Sequence, residues 1–220
     1  VYSRLDGVSK QVIILMHASF PCLSIDSRLI GCVAESAGKY QLVILDTFGI
    51  KTTLHESNTE ITYPCFSSDG TFITFSEKTS NGEAEVFSIP VSGGTAKQLT
   101  SFSNGIDNNA TAIIQDRIYF LQNRIVQGKL CSEICSVNID GNNFIQHTDF
   151  SANWQSQGIF IQQLRKASNA SLIFVSDFGS DNKDIFTAQI NNLTNHTRIS
   201  VTENEETFPS LIPDYISDKK

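Results

Sequence analysis

Tyr63-Pro64-Cys65-Phe66-Ser67-Ser68-Asp69-Gly70-Thr71-Phe72-Ile73-Thr74-Phe75 decides the fold. It reads as a strand, a Ser-x-Asp-Gly turn and a second strand, because apolar residues recur on both sides of an Asp-Gly step that favours a tight reversal. The same opening appears earlier at Pro21-Cys22-Leu23-Ser24-Ile25-Asp26 and later at Phe208-Pro209-Ser210-Leu211-Ile212-Pro213-Asp214. Pro21 and Pro64 stand about 43 residues apart, inside the window of ~40–45 residues for one four-stranded propeller blade. Each copy of the pattern is therefore read as one blade of a repeat protein.

Beyond the turn, the copy continues through Val86-Phe87-Ser88-Ile89, a Gly93-Gly94 turn and Lys97-Gln98-Leu99-Thr100, which makes four short strands and three turns with no sustained helical period. Third strands align best, since the turn that follows them needs Gly or Asn to reverse tightly. They run Val1–Gly7, Leu42–Gly49, Val86–Gly94, Ile134–Gly141 and Ile185–Asn192. The alignment predicts an all-β propeller of four-stranded antiparallel blades. Four are complete, near 20–57, 62–102, 108–149 and 155–202. A split blade, formed from 1–13 with 205–214, closes a single domain over 1–220. A blade shared by the two chain ends removes the exposed sheet edges that invite aggregation. Its second strand has no counterpart in the sequence, so the N-terminus reads as cut.

Hydrophobic residues make up 40% of the chain and Phe alone contributes 15 residues, enough to fill the seams between stacked sheets. No apolar run approaches the ~18 residues of a membrane span, so membrane insertion is not expected. The five cysteines include no Cys-x-x-Cys pair, which argues against a zinc ribbon or a complete disulfide framework. Cys22 and Cys65 occupy matching positions and are expected to fill the inter-blade core. Cys131 and Cys135 read as flanking a loop, and would bridge in an oxidising compartment only if their Cα atoms came within about 7 Å.

Catalytic signals are sparse: there is no Gly-x-Ser-x-Gly elbow and no Gly-rich phosphate loop. His55 and His147 end fourth strands, with His17 and His196 near similar positions. The outermost strands keep these side chains apart around the ring, which argues against a shared metal site. Asp177, Asp181 and Asp184 carry the oxygen ligands calcium prefers. Their spacing does not match an EF-hand loop, and such residues equally suit a solvated hairpin, so no cofactor is expected. Asn109, Asn169, Asn192 and Asn195 open glycosylation sequons at about the frequency chance would give in so Asn-, Ser- and Thr-rich a chain.

Sorting charge by face is more informative. Loops after the second and fourth strands emerge on one face, and nearly all of the net charge of −7 falls there. Glu56, Glu60, Asp107, Glu203, Glu205 and Glu206 lie in connections that lead into the innermost strands. They are the candidate partner-binding residues, because like charges crowded round a concave mouth focus potential and attract a cationic segment. The competing reading is acidic loops kept for solubility. Nucleic acid is disfavoured on either view.

The stretch from Pro64-Cys65-Phe66-Ser67-Ser68-Asp69-Gly70 through Lys97-Gln98-Leu99-Thr100 resembles the WD-like repeat of the TolB family, with Phe66 where that family usually has Trp and Ser68 where it has Pro. The resemblance covers most of the chain. It is strongest over 63–100 and weakest over 108–149 and 150–202, where the Asp-Gly turn is lost or shifted. Chains similar to TolB stop just after a first strand like Phe208-Pro209-Ser210-Leu211-Ile212-Pro213, which favours a propeller that ends the protein. The resemblance implies a non-catalytic scaffold in the periplasm or an equivalent extracytoplasmic space, one that meets a lipoprotein partner of the cell envelope. Two alternatives come from other classes. One is the gating propeller of a prolyl-oligopeptidase-type serine hydrolase, and the other is a glycan-active propeller lyase.

Overall fold

The computed structural model describes residues 2–3, 10–11, 18–102, 106–153, 159–178 and 183–200. Four antiparallel sheets of four strands each follow one another along the chain. The first contains β3 (Ala18–Leu23), β4 (Leu29–Ser36), β5 (Lys39–Asp46) and β6 (Lys51–Ser57). They follow a two-stranded pair, β1 (Tyr2–Ser3) with β2 (Lys10–Gln11). The second has β7 (Ile61–Phe66), β8 (Phe72–Lys78), β9 (Ala84–Pro90) and β10 (Lys97–Gln98). The third has β11 (Asp107–Ile114), β12 (Arg117–Val126), β13 (Lys129–Asn138) and β14 (Ile145–Gln146). The fourth has β15 (Ile161–Lys166), β16 (Ser171–Ser176), β17 (Asp184–Gln189) and β18 (Asn192–Arg198). Within each sheet the strands lie in chain order. Successive first strands pack side by side, β3 on β7, β7 on β11 and β11 on β15. This is the blade arrangement of a propeller, with first strands at the axis and fourth strands outside. We number the blades I to IV. Residues 205–214 of the expected split blade lie outside the described residues.

The turn that set the sequence reading forms as its residues require. Ser67 Oγ donates to Asp69 Oδ1 at 2.6 Å and accepts Phe72 N–H at 3.1 Å. Ser24 does the same with Asp26 and Leu29, at 2.7 and 2.9 Å. Gly70 takes φ 71° at the closing position, which a side chain would oppose. Blades III and IV, without this signature, turn by other means: Gln115 is left-handed, with φ 53°, and Ser168 Oγ bonds Ser171 Oγ at 2.7 Å.

Every first strand carries a bulge, between Ser19 and Cys22, Thr62 and Cys65, Asn109 and Ala112, and Gln162 and Arg165. Phe20, Tyr63 and Gln163 sit in these bulges with φ of 52°, 51° and 53°. A bulge bends and twists the strand, which suits strands that converge on one axis.

Among the described residues the core comprises three inter-blade seams and a smaller fourth cluster of Cys32, Ala34, Val43 and Leu45 on the other side of blade I. Leu42, Ile61, Phe66, Ile73, Phe75 and Ile89 fill I–II. Val86, Leu99, Ile113, Phe120 and Cys135 fill II–III. Ile114, Leu121, Ile134, Ile161, Leu164 and Phe174 fill III–IV. Phe87 is only half-buried, stacked on the fully buried Phe75 at 5.7 Å between ring centroids. Cys22 packs against the first seam and Cys65 against the second. Cys131 and Cys135 do not flank a loop. Both belong to β13, four residues apart on an extended strand, so at about 3.3 Å per residue their Cα atoms are roughly 13 Å apart and cannot bridge. Burial pushes the Cys135 thiol up to about 12. Among the described residues no helix is long and apolar enough to cross a membrane.

Candidate partner-binding rim

On the face where second and fourth strands end, a polar clasp recurs in three blades. An acid stands on the third strand, at its start in blades II and IV and mid-strand in blade III, and a hydroxyl residue follows the fourth. In blade II, Thr100 Oγ1 donates to Glu85 and accepts Val86 N–H at 2.9 Å. In blade III, Thr148 Oγ1 donates to Glu133 at 2.7 Å and accepts Ile134 N–H at 2.9 Å. In blade IV, Ser200 Oγ donates to Asp184 at 3.2 Å and accepts Ile185 N–H at 2.9 Å. The carboxylates also cap the next connection. Glu85 takes the Phe102 N–H at 2.6 Å, and Glu133 takes those of Phe150 and Ser151 at 3.0 and 2.7 Å. Asp184 instead pairs with Arg198 at 2.6 Å. All three acids are buried. Burial pushes the Glu85 carboxyl above its ordinary range, against the pull of Thr100 and the Phe102 amide.

Blade I exchanges the partners. Gln41 stands in the acid's place and Glu56 in the hydroxyl's, bonded Gln41 Nε2 to Glu56 Oε2 at 2.8 Å. Glu56 is thereby turned to solvent, where Lys39 Nζ meets it at 2.5 Å and holds its carboxyl below the usual range. Glu60, in the connection to β7, pairs with Lys78 at the end of β8 at 2.7 Å, and this contact raises the Lys78 ammonium. Asp107 opens β11, is exposed, and accepts the Ala84 N–H at 2.8 Å. Glu56, Glu60 and Asp107 thus mark three successive steps along one rim, from blade I to blade III. Glu203, Glu205 and Glu206 lie outside the described residues, as does Asp181. Of the other two calcium candidates, Asp184 is committed to Arg198 and Asp177 accepts the Phe160 N–H at 2.9 Å.

The described histidines are engaged separately, and His17 lies outside the described residues. His55 Nε2 bonds Glu77 Oε2 at 2.8 Å, joining the fourth strand of blade I to the second strand of blade II, and Ser57 Oγ donates to the other oxygen at 2.5 Å. Burial raises the Glu77 carboxyl, but the bonds from His55 and Ser57 outweigh it and leave it lowered. His147 bonds Ser136 at 2.7 Å, and His196 stacks on Phe178 at 3.9 Å between ring centroids. Among the described residues no three His, Cys, Asp or Glu side chains gather as metal ligands do.

Sequence reading missed the clasp and the His55–Glu77 bridge. Glu85 and Thr100, like Glu133 and Thr148, stand fifteen residues apart. That spacing is legible in the sequence, but the burial of the acids is not.

No family model and no curated protein matches the chain. Solved structures do. TolB from Acinetobacter baumannii superposes with a TM-score of 0.65 at 20% identity, over 81% of this chain and 43% of that one. A putative TolB from Agrobacterium tumefaciens gives 0.60 at 17%, over 84% and 62%. A puromycin-hydrolyzing peptidase of Mycobacterium tuberculosis gives 0.62 at 10%, over 89% and 32%. The chain spans about half the length of the two TolB structures. At these identities the likeness is one of fold, and that fold is the TolB-like β-propeller.

Proposed function

We propose that this chain is a non-catalytic propeller scaffold, one domain over 1–220, that binds a protein or peptide through the rim carrying Glu56, Glu60, Asp107, Glu203, Glu205 and Glu206. The partner offers a cationic segment, and the setting is extracytoplasmic, as in the periplasm. One observation supports the reading above all. The rim divides its acids into buried ones that clasp the blades and outward ones, Glu56 and Glu60, whose counterions are surface lysines with side chains 49% and 47% exposed. Exposed ion pairs contribute about 0–1 kcal/mol to stability, so a partner's lysine or arginine displaces them at little cost. The test is a pull-down from the native compartment, followed by mapping of the contact on the chain. Contact at Glu56 and Glu60 supports the proposal. Contact on the opposite face, near Arg28, Lys51 and Arg117, leaves this rim as solubility charge.

The likeness to a peptidase propeller gives some weight to a second reading, in which the same rim faces a serine hydrolase domain and gates it. The mapping separates the two, since a hydrolase domain recovered at the rim would establish the second.

A further inference from the structure

The four first strands converge on the axis, and the residues that follow their bulges take equivalent places, fixed by pairing with each second strand. Cys22 pairs with Gly31, Cys65 with Thr74, Ala112 with Tyr119 and Arg165 with Ile173. Blades I to III thus carry a thiol or a methyl group where blade IV carries a guanidinium. One step further along, Leu23, Phe66 and Ile113 are matched by Lys166. Every sister position is uncharged, so blade IV alone of the four brings two consecutive cations to the inner end of its sheet.

Both cations are half-buried, and among the described residues neither forms an ion pair. Arg165 Nη1 donates to Leu164 O of its own strand at 3.0 Å, and Lys166 Nζ reaches over to Ser68 Oγ of blade II at 3.2 Å. Beside them the axis is filled by aromatic rings. Phe20 and Tyr63, from the bulges of blades I and II, lie 4.8 Å apart between centroids, and Tyr63 also packs against the III–IV seam. First strands run from the acidic rim to the opposite face, so Arg165 and Lys166 stand beyond this ring pair, towards the far mouth. Burial raises the Tyr63 phenol, while the Arg165 charge lowers it and the Glu60 charge raises it further. Burial above all raises the Cys22 and Cys65 thiols, and the Arg165 charge opposes it in both. The guanidinium is therefore within electrostatic reach of blades I and II. Taking a cation out of water without a counterion works against folding. The chain has 23 Asp and Glu against 16 Lys and Arg, acids enough to pair these two, yet among the described residues none is placed to do so.

We propose that Arg165 and Lys166, with the Ser68 hydroxyl, form an oxyanion site at the axial mouth opposite the acidic rim, one that takes a phosphate or carboxylate group. The donors suit such a group: the guanidinium offers a planar fork to two oxygens, the ammonium a point charge, and the hydroxyl a further hydrogen bond. Phe20 and Tyr63 stand between this site and the rim, so the ligand enters from the far face, and the acids of the rim lie beyond two rings. The site is separate from the surface proposed for the cationic partner.

The test is thermal unfolding of the whole chain in sodium chloride, phosphate and acetate at matched ionic strength, with phosphorus NMR line broadening of inorganic phosphate as a second readout. A ligand that binds only the folded state raises the melting temperature as its concentration rises. Phosphate and acetate also stabilise proteins by exclusion from their surface, so the signal is the difference between the parent and Arg165→Gln. The parent should gain more than the variant in phosphate or in acetate, and whichever acts at the lower concentration identifies the group as phosphate or carboxylate. Lys166→Gln should weaken the apparent affinity at least threefold. In chloride, Arg165→Gln should melt no lower than the parent, because a cation held for a ligand does not stabilise the empty fold, whereas a strut on Leu164 O would. Four results overturn the proposal: protection by phosphate and acetate no greater than by chloride; protection that Arg165→Gln retains; Lys166→Gln binding as the parent does; and Arg165→Gln melting well below the parent in chloride or failing to fold.

Discussion

Thr100 and Glu85 are bonded side chain to side chain, and the same hydroxyl accepts the Val86 N–H, so one oxygen satisfies both a buried carboxyl and a buried amide. Thr100→Val keeps the shape and removes the oxygen. Leaving buried polar groups unpaired costs about 1–3 kcal/mol. Thr148→Val should cost a similar amount in blade III, since Glu133 and Ile134 N–H depend on it in the same way. Urea unfolding measures both. A change below about 0.5 kcal/mol, which is ordinary for surface substitutions, would show that the clasp does not hold the blades.

The clasp also shows what the sequence made legible. The Ser-x-Asp-Gly turn at Ser67–Gly70 and the Gly or Asn after each third strand were readable because each depends on local backbone geometry, which a few residues dictate. From these followed four-stranded blades in chain order. The fate of a carboxylate was not readable, because burial depends on the neighbouring blade. Glu85 and Glu56 look alike in sequence, yet one is enclosed by Thr100, Phe102 and Asn108 while the other faces water beside Lys39. Phe87 shows the same limit: its place on a third strand is readable from sequence, whereas its half-burial beside Phe75 is set by the packing of the seam.

Gly31 is placed by contact, with no need of an unusual backbone. A Cβ there would lie 2.8 Å from Cys22 Sγ and 3.1 Å from the Phe66 ring. Gly31→Ala should destabilise the I–II seam by about 1–3 kcal/mol, the usual cost of overpacking a core. Adding Cys22→Ala removes the closer obstacle, so the double variant should lose less than the sum of the two single changes. Additive losses in a double-mutant cycle would place the strain elsewhere.

The His55–Glu77 bridge makes part of the stability depend on pH. The folded-state pKa of Glu77 lies below its ordinary value of 4.5, so folded Glu77 holds its charge where the unfolded chain begins to take up protons. That contribution is fully present above about pH 5 and is lost as pH falls through the folded value. Glu77→Gln should cost about 1–3 kcal/mol at pH 7 through the weakened bonds to His55 and Ser57. It should also flatten the fall in stability between pH 5 and pH 3. Parallel pH profiles for parent and variant would show that Glu77 titrates as it does in the unfolded chain.

The rim prediction rests on which charges are free to exchange. Reversing Glu56, Glu60, Glu205 and Glu206 to lysine should slow association with the rim partner and flatten its salt dependence, because rim charge acts chiefly on encounter and orientation. The melting temperature should move little, since the Glu56 and Glu60 pairs are exposed. The opposite change is the more searching one. Lys39 and Lys78 occupy the very carboxylates a cationic segment would seek, so Lys39→Gln with Lys78→Gln should raise the association rate and steepen its dependence on ionic strength. Stopped-flow association at two salt concentrations reads both variants. If the glutamine pair binds no faster than the parent, or the lysine reversal no slower, the carboxylates of this rim do not steer the partner.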